Sequence, residues 1–562
     1  MATLKSNNLF FTTSPRTPFK MIPEIKLLIE NFSGKNWNRE TQEKFMNLLA
    51  EQNFFEGAGT SNDMAFSARD RINRAPKSLG FVNLNPTIYL SDAGKEFIFG
   101  KRPQEIFLRQ LLKFQLPSPY HKANKNLDKT FCIKPYLEIL RLVRELEYLT
   151  FDELKIFVMN FINYKMFDEV KNLILHFRED RKNFQGNYKK FVETIWTTEI
   201  LKSFESKIVR GETRTRETQD DSLKKFISTK KNNFRDYADA CFRYLRYTEM
   251  ISISQLNFSI SIPKNKIAEV DYIFENVSRK PIHVDNKVAY KNYLFDSSTP
   301  KLYTDNRNVL IKFLEPSQKN LSSKSVEELK NLYSDALQQN KILAISKQID
   351  NLKTQDFYFE VTELFNKIIK NECYDSPLML EFNTWRAMTI LDDGEIKGNF
   401  HIDDNGEPLS TAAGNMADIE CFYKNFVLSV EVTLQAGQRQ FETEGESVTR
   451  HFGKLRKKIS DKETYCLFIA KKVHSATLAY FYGLNHINIE HYGGKSKIIP
   501  LDLSQFMNLV ANAHYQKISP SSAELKKFFD EVVSCCEIAK NEIEWKTKIQ
   551  EGVNNWLKLQ DN

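Results

Sequence analysis

Val427-Leu-Ser-Val-Glu-Val-Thr-Leu434 is an apolar run broken by a single acid, and its reading decides the fold of the C-terminal third of the chain. A two-residue period puts Val427, Ser429, Glu431 and Thr433 on one face of a strand and Leu428, Val430, Val432 and Leu434 on the other. Glu431 then stands in the middle of an apolar strand, where a carboxylate is costly unless it is paired or coordinates a metal. Taken alone, the strand reads equally well as carrying a salt-bridged acid at a sheet edge.

The neighbouring segments tip that balance. Ahead of it, Ala417-Asp-Ile-Glu-Cys-Phe422 reads as a second strand with Asp418 at or near its start, preceded by a helix over Leu380-Glu-Phe-Asn-Thr-Trp-Arg-Ala-Met388 and a Gly- and Asp-rich stretch. Behind it, Thr443-Glu-Gly-Glu446 fits a capping box that opens a helix running to about Ile459. On that helix Glu444, Val448, His451 and Leu455 share a face. Strand Tyr465-Cys-Leu-Phe-Ile469, a helix from about Ser475 to Tyr482 and strand Ile498-Ile-Pro-Leu501 complete a mixed β-α-β core. Asp418, Glu431 and Glu444 are predicted to converge, and two hard carboxylates with a strand carbonyl and waters suit Mg²⁺. Such an ion activates water and stabilises charge on a phosphate, the needs of phosphodiester hydrolysis.

With 562 residues, 41% of them hydrophobic and 12% aromatic, the chain can bury several cores and divides into about three or four domains. Eighty Lys and Arg against 72 Asp and Glu leave a net charge of +8, which permits a polyanionic partner without demanding one. Seven scattered cysteines with no CxxC pair support neither a zinc finger nor a disulfide framework. No stretch approaches the ~20 apolar residues of a membrane helix, and a soluble protein of a reducing cytoplasm is expected. Gly493-Gly-Lys-Ser496 ends like a P-loop but has Ile489 where the first glycine belongs, so no nucleotide-triphosphate site follows. Asp403-Asp-Asn-Gly406 has calcium-loop composition, yet a polar turn explains it.

The N-terminal half is predicted to be mainly helical with winged-helix-like modules. One has the basic stretch Phe66 to Lys77 followed by a short ribbon over Leu79 to Leu90, with Ser91 capping the next helix. Another spans Ile133 to Phe157, where Ile139, Leu142, Val143 and Leu146 form an apolar stripe and Thr150 caps the next helix. A helix from about Asp236 to Tyr247 followed by Ile251-Ser-Ile-Ser254 and Phe258-Ser-Ile-Ser-Ile262 reads as a third candidate with its own wing. The charged segment from Glu205 to Asn233 reads as an exposed, mobile insertion. Helical periodicity from Ser322 to about Asn371 reads as a spacer.

The words Glu381-Phe-Asn-Thr-Trp-Arg386, Ala417-Asp-Ile419, Glu431-Val-Thr433, Glu444 with Gly445 and Glu446, and Thr449-Arg-His451 resemble, in kind and spacing, the AlwI-type family of type IIS restriction and nicking endonucleases within the PD-(D/E)xK nuclease superfamily. Pro76-Lys-Ser-Leu-Gly-Phe-Val82 and the stretch Phe107 to His121 extend the resemblance into the N-terminal half. The resemblance implies a multidomain α+β chain. Its DNA-recognition region covers residues 1–290 in two winged-helix-like subdomains (about 1–130 and 131–290), its helical linker 291–372, and its restriction-endonuclease-like domain with a mixed central sheet 373–562.

The resemblance further implies that Asp418, Glu431 and the Val432 carbonyl bind Mg²⁺, that Glu444 orients or deprotonates water, and that Glu381 supports a metal-bound water. His451 either contacts the scissile phosphate or supports the site by a hydrogen bond. Thr433 departs from the superfamily pattern, which usually has lysine there, and Glu444 takes that place. The implied partners are double-stranded DNA bound by a monomer, a second nuclease domain or small subunit for double-strand cleavage, and a cognate DNA methyltransferase. Arg69, Arg71, Arg74 and Lys77 are candidates for reading bases, Arg16 for an arm in a groove, and Arg109, Lys113 and His121 for phosphate contacts. The rivals are a strand-specific nickase or the large subunit of a two-chain enzyme, and, from another class, a non-catalytic DNA-binding regulator.

Overall fold

The computed structural model describes residues 2–3, 8–52, 54–55, 63–122, 130–215, 217–254, 258–318, 320–354, 356–391, 393–516 and 522–557. The fold is α+β, and the chain forms two compact units: Met1–Gln52 with Gly57–Leu337, and Asn53–Glu56 with Gln338–Asn562.

In the first unit the basic stretch is a helix, α1 (Met64–Asn73), opened by the Asp63 carboxylate, which accepts from the Phe66 amide at 2.9 Å. The antiparallel pair β1 (Val82–Asn83) and β2 (Tyr89–Leu90) follows, and Ser91 caps α2 (Asp92–Phe99) by accepting from the Gly94 amide at 2.9 Å. Next come α3 (Pro103–Lys113) and α4 (Pro135–Leu146), the latter burying the stripe Ile139, Leu142, Val143 and Leu146. β3 (Tyr148–Thr150) leads into α5 (Phe151–Ile156), where Thr150 and Glu153 form the reciprocal capping box.

The segment Glu205 to Asn233 departs from expectation. Its first residues end α6 (Tyr188–Val209) and its last open α7 (Leu223–Tyr247). Phe226 and Phe234 are buried with Phe204, and the buried Lys231 donates to Thr197 Oγ1 at 2.6 Å. The charged composition hid an apolar stripe at helical spacing, over which long lysine stems lie. After α7, strands β4 (Ser252–Ser254) and β5 (Ser259–Ser261) form with β3 an antiparallel sheet in the order β3-β5-β4. The tip of that hairpin, residues 255–257, lies outside the described residues.

The spacer pattern becomes α8 (Val326–Thr354), in which the division between the units falls, and α9 (Tyr358–Ile369). In the second unit α10 (Ser376–Leu391) is tied to α9 by Asn383, which donates to the Val361 carbonyl at 2.9 Å. It is tied to β6 (Glu395–Gly398) by the Trp385 indole, which donates to the Ile396 carbonyl at 3.0 Å. The sheet continues with β7 (Ile419–Phe422), β8 (Phe426–Thr433), β9 (Glu463–Ala470) and β10 (Ile498–Asp502) in the order β10-β9-β8-β7-β6. β8, β9 and β10 run parallel, whereas β7 is antiparallel to both neighbours. Pro500 falls on the edge strand β10, where a missing amide costs no ladder bond. α11 (Gln438–Lys458) connects β8 to β9, and α12 (Ser475–His486) connects β9 to β10.

The predicted capping box at Thr443 does not form. α11 starts behind Gly437, whose φ of 64° makes a turn that side chains disfavour, and Thr443 lies inside the helix with its hydroxyl donating to the Arg439 carbonyl at 2.9 Å. The early start is locked by the buried Gln440, whose amide donates to the Gln435 and Lys472 carbonyls at 2.9 and 3.0 Å. No described helix is long and apolar enough to cross a membrane.

Candidate active site

Glu431 lies on the central strand of the sheet, not its edge, with the parallel β9 on one side and the antiparallel β7 on the other. Its residue is 6% exposed. Because Ile419 pairs with Val430, the residue just before β7 comes level with the acid, and Asp418 Oδ2 accepts from the Val432 amide at 2.8 Å. From α11, seven residues apart, Glu444 Oε1 accepts from the Thr433 hydroxyl at 2.9 Å and His451 Nδ1 meets Glu431 Oε1 at 2.9 Å. From α10, Glu381, 7% exposed, accepts from the Ala412 amide at 2.8 Å. Four carboxyl groups and an imidazole predicted from sequence therefore gather around the C-terminal end of β8.

Their electrostatics are those of an under-neutralised acid cluster. Burial raises the Glu431 pKa, and the Glu444 charge raises it further against the pull of Arg450. Burial and the Asp418 charge raise Glu381 likewise. Burial, with the nearby Arg450 and Lys454 cations, pushes His451 down to about 4. Among the described residues His451 Nε2 is buried without a hydrogen-bond partner. The hard oxygens at this corner are those of the Asp418 and Glu431 carboxylates. Among the described residues no three His, Cys, Asp or Glu side chains are already gathered as a metal cage. Asp418 and Glu431 each direct an oxygen at a protein partner instead.

Asn415 was not foreseen. Held at φ 77°, it accepts through Oδ1 from both Arg450 and Lys454, tethering two cations of α11 to the loop that carries Asp418. A single asparagine with a partner 35 residues away leaves no periodic trace in sequence.

The candidate DNA contacts separate into three groups. Arg109 and Lys113 are corrected: they are 2% and 0% exposed and serve the interior of the first unit. Arg109 grips Asp305 through two bonds of 2.8 and 3.0 Å, and Lys113 donates to the Asp296 carbonyl at 2.5 Å. Both side chains lie on α3 among apolar neighbours, where internal acceptors take the place of phosphate. Arg71 binds the buried Glu24, which burial raises to about 7 against the Arg71 charge. Arg69 donates to Gln42 at 2.7 Å, and Arg16 lies 3.3 and 3.4 Å from Asp236 and Asp239. Arg74, Lys77 and His121 come together on one cavity.

Burial drives the Lys113 ammonium down to about 7, assisted by Arg109 and opposed by Asp296. Its unfolded value is about 10.4. Between those values the unfolded chain binds the extra proton, so stability rises with pH, by at most ~1.4 kcal/mol per unit. Lys113→Met is expected to flatten that rise. Urea unfolding of both proteins at about pH 7 and 9 checks it, and parallel profiles would refute the assignment.

The model of the AlwI restriction endonuclease family matches residues 77–509, more than half of the chain. No curated protein matches. Among solved structures, the small subunit of the heterodimeric restriction endonuclease R.BspD6I is 26% identical, with 37% of this chain and 98% of that one covered and a TM-score of 0.29. The BpuJ1 endonuclease binding domain, solved with pyrene- and phenanthrene-modified DNA, is 13% identical, with 50% and 92% covered and a TM-score of 0.33. Since the family match runs unbroken from Lys77 through Glu381, Asp418, Glu431, Glu444 and His451, the chain belongs to the AlwI restriction endonuclease family.

Proposed function

We propose that this restriction endonuclease is a Mg²⁺-dependent type IIS enzyme of the PD-(D/E)xK class. It binds a short asymmetric site through its N-terminal region, to about residue 290, and hydrolyses DNA phosphodiester bonds at a fixed offset through residues 373–562, with the helices of 291–372 as spacer. The observation that carries the reading is the gathering of Glu381, Asp418, Glu431, Glu444 and His451 at one end of β8. The order α4-β3-α5, then α7-β4-β5, around a three-stranded antiparallel sheet supports a winged-helix module for DNA, with α6 among inserted helices.

The donor set fits Mg²⁺, since the corner offers hard oxygens and its buried acids repel one another in the absence of a cation. Asp418, Glu431 and the Val432 carbonyl are the residues to hold it. The ion, when bound, supplies water activation and positive charge against the phosphate. Glu444, aimed by the Thr433 hydroxyl, receives the proton of the attacking water. Glu381 holds a second water, while His451 supports Glu431 by the hydrogen bond at Nδ1.

One such centre cuts one strand at a time, so double-strand cleavage requires a second nuclease domain or a small subunit; a cognate methyltransferase protects the host site. Supercoiled plasmid with purified protein and Mg²⁺ is expected to go to linear product, while EDTA stops the reaction. Accumulated open circles assign the protein instead as a nickase or large subunit. Cutting that persists in EDTA, or no cutting of any DNA by folded protein with Mg²⁺, defeats the reading. Sequenced product ends give the offset.

A further inference from the structure

The cavity in the first unit has a volume of about 470 Å³, and its lining includes Arg74, Lys77 and His121 together with Phe10, Tyr120 and Tyr237. That size falls within the ~300–1,000 Å³ of small-ligand sites. The cations of its lining are unevenly neutralised. Arg74 is paired with Asp70, and its guanidinium also reaches the Thr13 hydroxyl. Lys77 is half-buried and, among the described residues, has no ion pair. Burial lowers its pKa, and the charge acting on it is a second cation, the exposed Lys287. A partly desolvated ammonium that also feels a second cation is a place where an anion is bound favourably.

The aromatic part of the lining is braced. Tyr120 packs edge-on against the buried Tyr290 with centroids 5.6 Å apart, and Phe10 packs edge-on against His121 at 5.9 Å. His121 Nδ1 accepts from the Ser118 amide at 3.0 Å, so the neutral ring carries its hydrogen on Nε2. A lysine without an ion pair among the described residues, lining one cavity with aromatic rings, matches a flat heteroaromatic base joined to a phosphate, since bases stack on aromatic faces and phosphates seek cations.

We propose that this cavity takes one nucleotide, its phosphate at Lys77 and Arg74 and its base against Phe10, Tyr120 and Tyr237. The proposal rests on the reading of the first unit as the DNA-recognition region. Two sources supply the same chemistry: a nucleotide turned out of the bound duplex, or a free nucleotide. Turning a base out costs a few kcal/mol and costs least where pairing is already broken.

The test measures binding of the full-length protein by fluorescence anisotropy on duplexes with a mismatch placed in turn at each position of the site mapped from cleaved ends. For a turned-out nucleotide, the mismatch at one position strengthens binding about fivefold or more. Tyr120→Ala and Lys287→Glu both erase that gain. In parallel the four deoxynucleoside monophosphates are titrated into DNA-free protein, where saturable binding of one, lost in both variants, identifies a free nucleotide as the source. Lys287 is exposed, so its variant serves if Tyr120→Ala fails to fold, and thermal melting reports which. Neither response in wild-type protein that still cuts at a specific site overturns the cavity proposal alone, as does a response unchanged in the variants. Protein that neither binds nor cuts DNA overturns the functional reading, and the monophosphate titration then still decides the cavity.

Discussion

Glu431→Ala is expected to lower the DNA cleavage rate by more than about a thousandfold, the several kcal/mol expected of the charge-stabilising group at such a centre. Site-specific DNA binding is expected to stay within about threefold, because the recognition contacts are proposed to lie in the other unit. The side chain sits on the central strand between Asp418 and the α11 pair Glu444 and His451, so its removal takes away the carboxylate around which the others are arranged. Burial and the Glu444 charge disfavour its ionised form. In EDTA the neutral variant Glu431→Gln should therefore melt no lower than wild type, as expected where an active site holds charges at the expense of stability. Single-turnover cleavage, anisotropy and melting of both variants separate loss of chemistry from loss of fold. If Glu431→Ala retains cleavage within about tenfold of wild type, Glu431 is not part of the cutting centre.

The gathering of these side chains was readable because they obey local periods. Glu431 stands out as a lone acid in an apolar strand, and Glu444 and His451 share a helix face whatever residue begins the helix. Asp418 follows from strand order, once Ile419 is opposite Val430. What could not be read depends on distant partners. The true start of α11 is set by a glycine turn and by the bonds of Gln440 to Lys472 and His474, which outweigh a locally plausible capping box at Thr443. Asn415 acts on residues two strands and half a helix away. The basic residues of α3 show the same limit from the other side. Arginine spacing does not distinguish a cation facing solvent from one aimed inward at an acid 196 residues later.

That inward cation sets the last large effect. Arg109 donates two bonds to Asp305 and reaches the carbonyls of Ser298 and Pro300, stitching α3 to the segment that holds Leu302. Burial pushes the Asp305 carboxyl up, but the bonds and charge of Arg109 outweigh this and hold it at about 2. Arg109→Met leaves a largely buried carboxylate with Lys330 as its remaining cation among the described residues and takes a donor from two carbonyls, so a loss of about 3–5 kcal/mol is expected in urea unfolding at pH 7. The sign with pH follows from the depressed carboxyl. Its stabilising contribution is complete above the unfolded value of about 3.9 and disappears as pH falls through the folded value. The gap between wild type and variant should therefore narrow below about pH 4. Arg109→Met combined with Asp305→Asn should recover much of the loss, because an orphaned charge is the costly element of a broken buried pair. A phosphate contact at Arg109 would act in the reverse direction, weakening DNA binding while leaving the unfolding curve in place, and that outcome would return the residue to the DNA-binding surface.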